Sequence, residues 1–206
     1  MSISDKRIYL ASRSPRRRDL LKQIGVPFEL LLLREDLRRG ADVDETPLAE
    51  ESPGVYVLRV ASAKAAMAVR QIAYRGLPQK PVLSADTTVV FDGQIVGKPV
   101  DAEDAARILR TLSGREHQVL TAVAVALREQ IEAQISVSSV LFRELSDAEI
   151  RSYVATGEPL DKAGAYAIQG LASRFVARIQ GSYSNVVGLP LSLVYRLCKA
   201  QGLLIS

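Results

Sequence analysis

With 206 residues, a net charge of +4 and a pI near 9.3, the chain is long enough for an α/β domain with a substantial core. The mild basicity suits a phosphate-bearing ligand, but it is dispersed and accompanied by only 5% aromatics, which argues against binding a nucleic-acid polymer. The single cysteine, Cys198, excludes an internal disulfide, and no signal-type stretch or 18-residue apolar span occurs, so a cytoplasmic protein without a membrane partner is expected.

The chain opens with a strand near 7–11 and a helix near 15–24, which Gly25 and Pro27 stop. Residues 28–33, FELLLL, read as a second strand, and the charged segment 34–52, with Gly40 and Pro47, as a long loop. Ser52-Pro53 then opens a helix to about residue 74, with Val57, Ala61, Ala65, Ala68 and Ile72 on one face. Residues 81–91 form a strand, and Asp92-Gly93 turns it into a return strand at QIVG. Asp101 caps a helix to Leu112 that Gly114 closes. Two β-rich runs follow at 117–127 and 131–145, and Ser146 with Glu149 makes a capping box for a helix stopping at Gly157. Residues 173–187 read as another strand pair, and 190–201 as a final apolar helix in which Cys198 belongs to the core. No repeat or linker interrupts residues 1–206, which read as one domain. The pattern predicts an α/β fold: a mixed sheet flanked by helices, in two lobes with a central cleft.

The run IYLASRSPRRRDLL, residues 8–21, is the most informative stretch. Ser14 is suited to the N-cap and Pro15 to the first helical position. Arg16, Arg17 and Arg18 then crowd a helix start, where the macrodipole opposes positive charge. The arrangement is either a solvated basic turn or a site where a polyanion rests.

In SADTTVVFDGQIVGKP, residues 84–99, Asp86 interrupts an otherwise apolar strand. A carboxylate there needs a partner: a cation, a metal or a water to activate. Folding the hairpin at Asp92-Gly93 places Lys98 nearly opposite Asp86, either as a structural ion pair or as part of a site. Glu45, in VDE at 43–45, and Asp86 could together hold a divalent cation whose shell phosphates complete, with Lys64 on the long helix nearby. In DKAGAYAIQG, residues 161–170, Gln169 sits among small residues; its amide can read a base edge or belong to an ordinary loop. His117 is the only histidine, which removes histidine triads and histidine-rich metal sites and favours a structural role for it. Neither a P-loop nor a GxGxxG fingerprint is present.

LASRSPRRRDLL, SADTTVVFDGQIVGKP, LSGREHQVLTAVAV, GEPLDKAGAYAIQG and SYSNVVGLPL, in that order over about residues 7–202, resemble the Maf family of nucleoside triphosphate pyrophosphatases. The resemblance implies an elongated mixed sheet in two lobes, related to the inosine triphosphate pyrophosphatases. It implies hydrolysis of free nucleoside triphosphates to the monophosphate and pyrophosphate with a divalent metal, Mg or Mn, and fits a homodimer. Carried over, the catalytic aspartate falls on Asp86, and the phosphate-binding positions on Ser12, Ser14, Arg16, Arg17, Lys64 and Lys98. The metal position falls on Glu45 with Asp86, and substrate choice on Arg16, Thr87 and Gln169. Ala85-Asp86-Thr87 resembles the branch acting on dTTP and UTP, whereas the sister branch acting on 7-methyl-GTP carries Ser-Asp-Gln. The alternatives are that sister activity, or a septum-formation regulator acting by binding. Two features depart from the family pattern: Arg13, where a small residue is usual, and a longer, more basic 34–44 segment.

Overall fold

The computed structural model describes residues 7–34 and 42–200. Most of the basic 34–44 segment, at 35–41, lies outside the described residues. The elements are β1 (Ile8–Leu10), α1 (Pro15–Gln23), β2 (Phe28–Leu30), α2 (Pro53–Tyr74), β3 (Val82–Phe91) and β4 (Gln94–Val96). They continue with α3 (Ala102–Leu112), β5 (Glu116–Leu127), β6 (Gln130–Phe142), α4 (Asp147–Val154), β7 (Val176–Gln180), α5 (Tyr183–Val187) and α6 (Leu191–Ala200). All strands join one sheet in the order β2-β1-β3-β5-β6-β7, with β4 paired to β3. Strands β2, β1 and β3 run parallel, and the remaining pairings are antiparallel. The expected mixed sheet flanked by helices is therefore present.

The central strand β5 is buried on both faces, which explains its nearly continuous apolar run. Its alternate residues serve two cores. Leu120, Ala122, Ala124 and Ala126 face α2, which answers with Val57, Ala61, Ala65, Ala68 and Ile72. Small side chains on both partners let the long helix lie close to the sheet. Val119, Val123 and Val125 point the other way, into the core built with Leu21, Leu109, Ile150 and Leu197 from α1, α3, α4 and α6. Cys198 is buried in this core, as expected, and burial pushes its thiol up to about 11.

The local start and stop signals work as the sequence implies. Ser52, Asp101 and Ser146 each accept a backbone N–H at their helix starts, and Ser146 with Glu149 completes the capping box. Segment 173–187 is different: it holds one strand, β7, and the short helix α5 rather than a strand pair. Ser182 caps α5 by accepting the Asn185 N–H, and Gly188 ends it at φ 119°, a conformation suited to glycine. The strand expected over 28–33 stops at Leu30, and that expected over 131–145 stops at Phe142. Among the described residues no helix is long and apolar enough to cross a membrane.

Candidate active site

Strand β3 carries the site because one of its edges is only partly covered. Along the opposite edge β5 pairs with it from Val82 to Val90. On the near edge β1 covers Val82 and Leu83, and β4 covers Val89 to Phe91. Between those two stretches no described strand pairs with Ser84–Thr88. The chain leaving β1 turns through Ser12–Ser14 into α1, and a cavity of about 840 Å³ opens beside the gap.

Asp86 projects toward α2, where Lys64 Nζ lies 2.8 Å from its Oδ1. The same ammonium is 2.9 Å from Glu45 Oε1. One lysine thus stands between two carboxylates, and this pairing accounts for a charged group only 7% exposed inside a strand. Tyr56 donates its hydroxyl to the Glu45 main-chain carbonyl at 3.0 Å. Burial, aided by the negative charges of Asp86 and Glu45, pushes the Tyr56 phenol up to about 12, so it remains a neutral donor.

Lys98 lines the same cavity but is not the partner of Asp86 that the hairpin spacing predicts. The β3–β4 ladder extends only from Phe91–Gln94 to Val89–Val96. Beyond it, the Gly97 carbonyl accepts the Gly164 N–H at 3.0 Å, drawing the chain away from β3 toward the 161–170 loop. Lys98 is left exposed at the cavity mouth.

The loop before α1 is built around its own polar groups. Ser14 occupies the N-cap position, but its side chain makes no capping bond; its N–H donates weakly to Ser12 Oγ at 3.3 Å. Arg16 lines the cavity. Arg13 donates from Nε and Nη2 to the Leu33 carbonyl, at 3.1 and 2.7 Å, tying the loop to the segment after β2.

Arg17 does not reach into the cavity as a free cation. Its Nε donates to the Gly188 carbonyl at 2.8 Å, and its Nη1 to the Ala85 carbonyl at 2.8 Å and Ser12 Oγ at 3.2 Å. Its Nη2 donates to Thr87 Oγ1 at 3.0 Å. Thr87 shares a further bond with Thr121 Oγ1 at 2.9 Å, and Thr121 donates to the Asn185 carbonyl at 3.0 Å. Buried Asn185 donates to Val119 O and Ser138 Oγ, both at 2.9 Å. This polar chain fixes the floor beneath Thr87.

Across the cavity, Asp161 and Lys162 are in contact, and the Lys162 hydrogen bond holds the Asp161 carboxyl below its usual range. Tyr166, Ala167 and Ile168 continue that wall. Gln169 follows in an exposed turn and is not among the residues lining the cavity. His117 is buried, 2.9 Å from the Tyr166 hydroxyl and edge-on to Phe142, and burial lowers its pKa to about 4. It has the structural role expected of it. Among the described residues no group of three or more His, Cys, Asp or Glu gathers as a metal cluster. Sequence reasoning missed Tyr56, Thr121 and Asn185; only Asn185, a polar residue ahead of Val186-Val187-Gly188, left a signal.

The family model described as Maf-like protein matches residues 7–201. The chain belongs to the Maf family. A relative named dTTP/UTP pyrophosphatase, from Nitrosomonas europaea, is 56% identical over 95% of this chain and 95% of its own. Another of the same name, from Dechloromonas aromatica, is 54% identical over 95% of this chain and 98% of its own. Among solved structures, the Staphylococcus aureus Ham1 protein aligns with a TM-score of 0.52 at 15% identity, over 95% of this chain and 99% of that one. That likeness concerns the fold alone. The Maf motifs thus fall around one cavity, at the loop before α1, the open stretch of β3 and the 161–168 wall.

Proposed function

We propose that this Maf protein is a nucleoside triphosphate pyrophosphatase that cleaves dTTP and UTP to the monophosphate and pyrophosphate. The observation that carries the reading is the Glu45–Lys64–Asp86 contact, facing a cavity ringed by Arg16, Lys98 and Lys162. Acid groups poised beside clustered cations suit an attack by water on a polyanion. The names of the relatives support the substrate class.

In the reaction, water attacks the α-phosphorus, the bond from that phosphorus to the α–β bridging oxygen breaks, and its electron pair leaves with pyrophosphate. Asp86 orients the water and accepts its proton. Lys64, held against Asp86, keeps the carboxylate aimed. Arg16, Lys98 and Lys162 offset the negative charge of the phosphate oxygens, where electrostatic stabilisation contributes most. Glu45 and Asp86 fit a divalent cation such as Mg or Mn: they flank one cation already, and one or two carboxylates suffice when phosphates fill the shell. Such a metal, when bound, would supply further charge neutralisation on the phosphate oxygens. Of the three positions tied to base choice, Arg16 and Thr87 line the cavity.

The test is pyrophosphate release from dTTP, UTP, ATP and 7-methyl-GTP, each with Mg, with Mn and with a chelator. Rapid, metal-dependent release from dTTP and UTP is expected. Faster cleavage of 7-methyl-GTP would overturn the base assignment, and orthophosphate as the first product would overturn the reaction.

A further inference from the structure

We propose that the main chain of Thr87 reads the base: its N–H donates to a ring carbonyl of uracil or thymine, and its C=O accepts the ring N3–H. The inference rests on the nucleotide reading above and deepens it.

In an antiparallel strand, backbone groups alternate between the two edges. On β3 the odd-numbered residues face away from β5. Tyr9 N–H donates to Pro81 O at 2.7 Å, Ala11 N–H to Leu83 O at 2.8 Å, and Arg17 Nη1 to Ala85 O at 2.8 Å. Val89 and Phe91 face β4 on that same edge, opposite Val96 and Gln94. Thr87 is the odd residue between them. Its side chain gives an independent check. Thr87 opposes Thr121 across β3 and β5 with their hydroxyl oxygens 2.9 Å apart, the close approach of a pair whose main-chain groups point outward. Among the described residues no group bonds to the Thr87 N–H or C=O. Both therefore face the cavity that Thr87 lines.

The hydroxyl of Thr87 already accepts from Arg17 and shares a bond with Thr121, so the main chain is what remains for a ligand. A donor and an acceptor on one residue suit an adjacent acceptor and donor on the ligand. A triphosphate at neutral pH is essentially acceptor-only and would meet the Thr87 carbonyl with repulsion. The imide edge of uracil or thymine presents a carbonyl beside an N–H and matches both groups. The surroundings agree: Val89, Val119, Val187 and Ile168 give this part of the cavity an apolar wall for a flat ring. The cation beside Thr87, Arg17, is engaged with the Thr87 hydroxyl and the Ala85 and Gly188 carbonyls.

The experiment compares UTP with N3-methyl-UTP as substrates of the intact protein. It also follows the Thr87 amide resonance of isotope-labelled protein as α,β-methylene-UTP is added. Blocking N3 should lower kcat/KM by roughly 10- to 100-fold, the effect of stranding a buried acceptor. The Thr87 amide should shift with the UTP analogue and not with its N3-methyl counterpart. Equal cleavage of UTP and N3-methyl-UTP, or a Thr87 amide that the analogue leaves unmoved, overturns the inference and leaves the reaction class standing. Failure to cleave UTP at all overturns the nucleotide reading, and this inference falls with it.

Discussion

The Arg17 guanidinium lies 3.0 Å from the Thr87 hydroxyl, joining the first helix to the strand that carries Asp86. From the sequence, a cation at a helix start points outward to an anion. In the fold it points inward, to four acceptors on three separate parts of the chain. Arg17 thus positions the loop, β3 and the segment after α5 relative to one another.

Removing it should accordingly cost stability as well as turnover. Arg17→Ala strips donors from two buried carbonyls, those of Ala85 and Gly188, and should cost about 2–4 kcal/mol. A thermal melt beside a pyrophosphate assay checks this. An unchanged melting temperature with lost turnover would return Arg17 to a direct phosphate-binding role.

For Asp86 the expectation is the reverse. Asp86→Asn keeps the size of the side chain and a partner for Lys64, so the fold should survive. The base is lost, and turnover should fall by at least ~10². Wild-type rates from a folded Asp86→Asn protein would sink the mechanism.

The contrast between Arg17 and Asp86 shows what was legible in the chain. A carboxylate in an apolar strand is a local anomaly, visible without knowing its neighbours. So are Ser-Pro helix starts, the Asp92-Gly93 turn and the Ser146–Glu149 capping box, which depend on residues a few positions apart. The partners of Arg17 lie 68 and 171 residues away at Ala85 and Gly188, and no local pattern announces them. Lys98 misled because hairpin symmetry holds only while the ladder lasts, and this one ends at Val96. Val186-Val187 reads as strand by β-branching, yet the Ser182 cap and the Asn185 bonds to Val119 and Ser138 hold it helical.

Gly164 tests how tightly the 161–168 wall abuts β3. It sits at φ 69°, and an added Cβ would approach the Val89 side chain to 2.8 Å. Gly164→Ala should therefore destabilise the protein by about 1–3 kcal/mol, through backbone strain and overpacking together. Denaturant unfolding measures it. A neutral result would mean that this loop can move off the sheet without penalty.

His117 provides a test in pH. Burial holds its folded pKa near 4, against an ordinary value of 6.5. Between those values the unfolded chain takes up a proton that the folded protein refuses. The unfolded state then binds more protons, so stability rises with pH across this window. Acidification from pH 7 toward pH 4 should remove up to roughly 3 kcal/mol through this group, with no further loss from it below pH 4. His117→Gln removes the titrating group while leaving the carboxylates that also respond to acid. The variant starts from lower stability at pH 7, having lost the fit between His117, Tyr166 and Phe142. Its stability should nevertheless decline more gently than that of the wild type as the pH falls from 6.5 to 4. Parallel stability curves over that range would show that His117 keeps an ordinary pKa in the fold, and that the ring is less sealed than its 2% exposure implies.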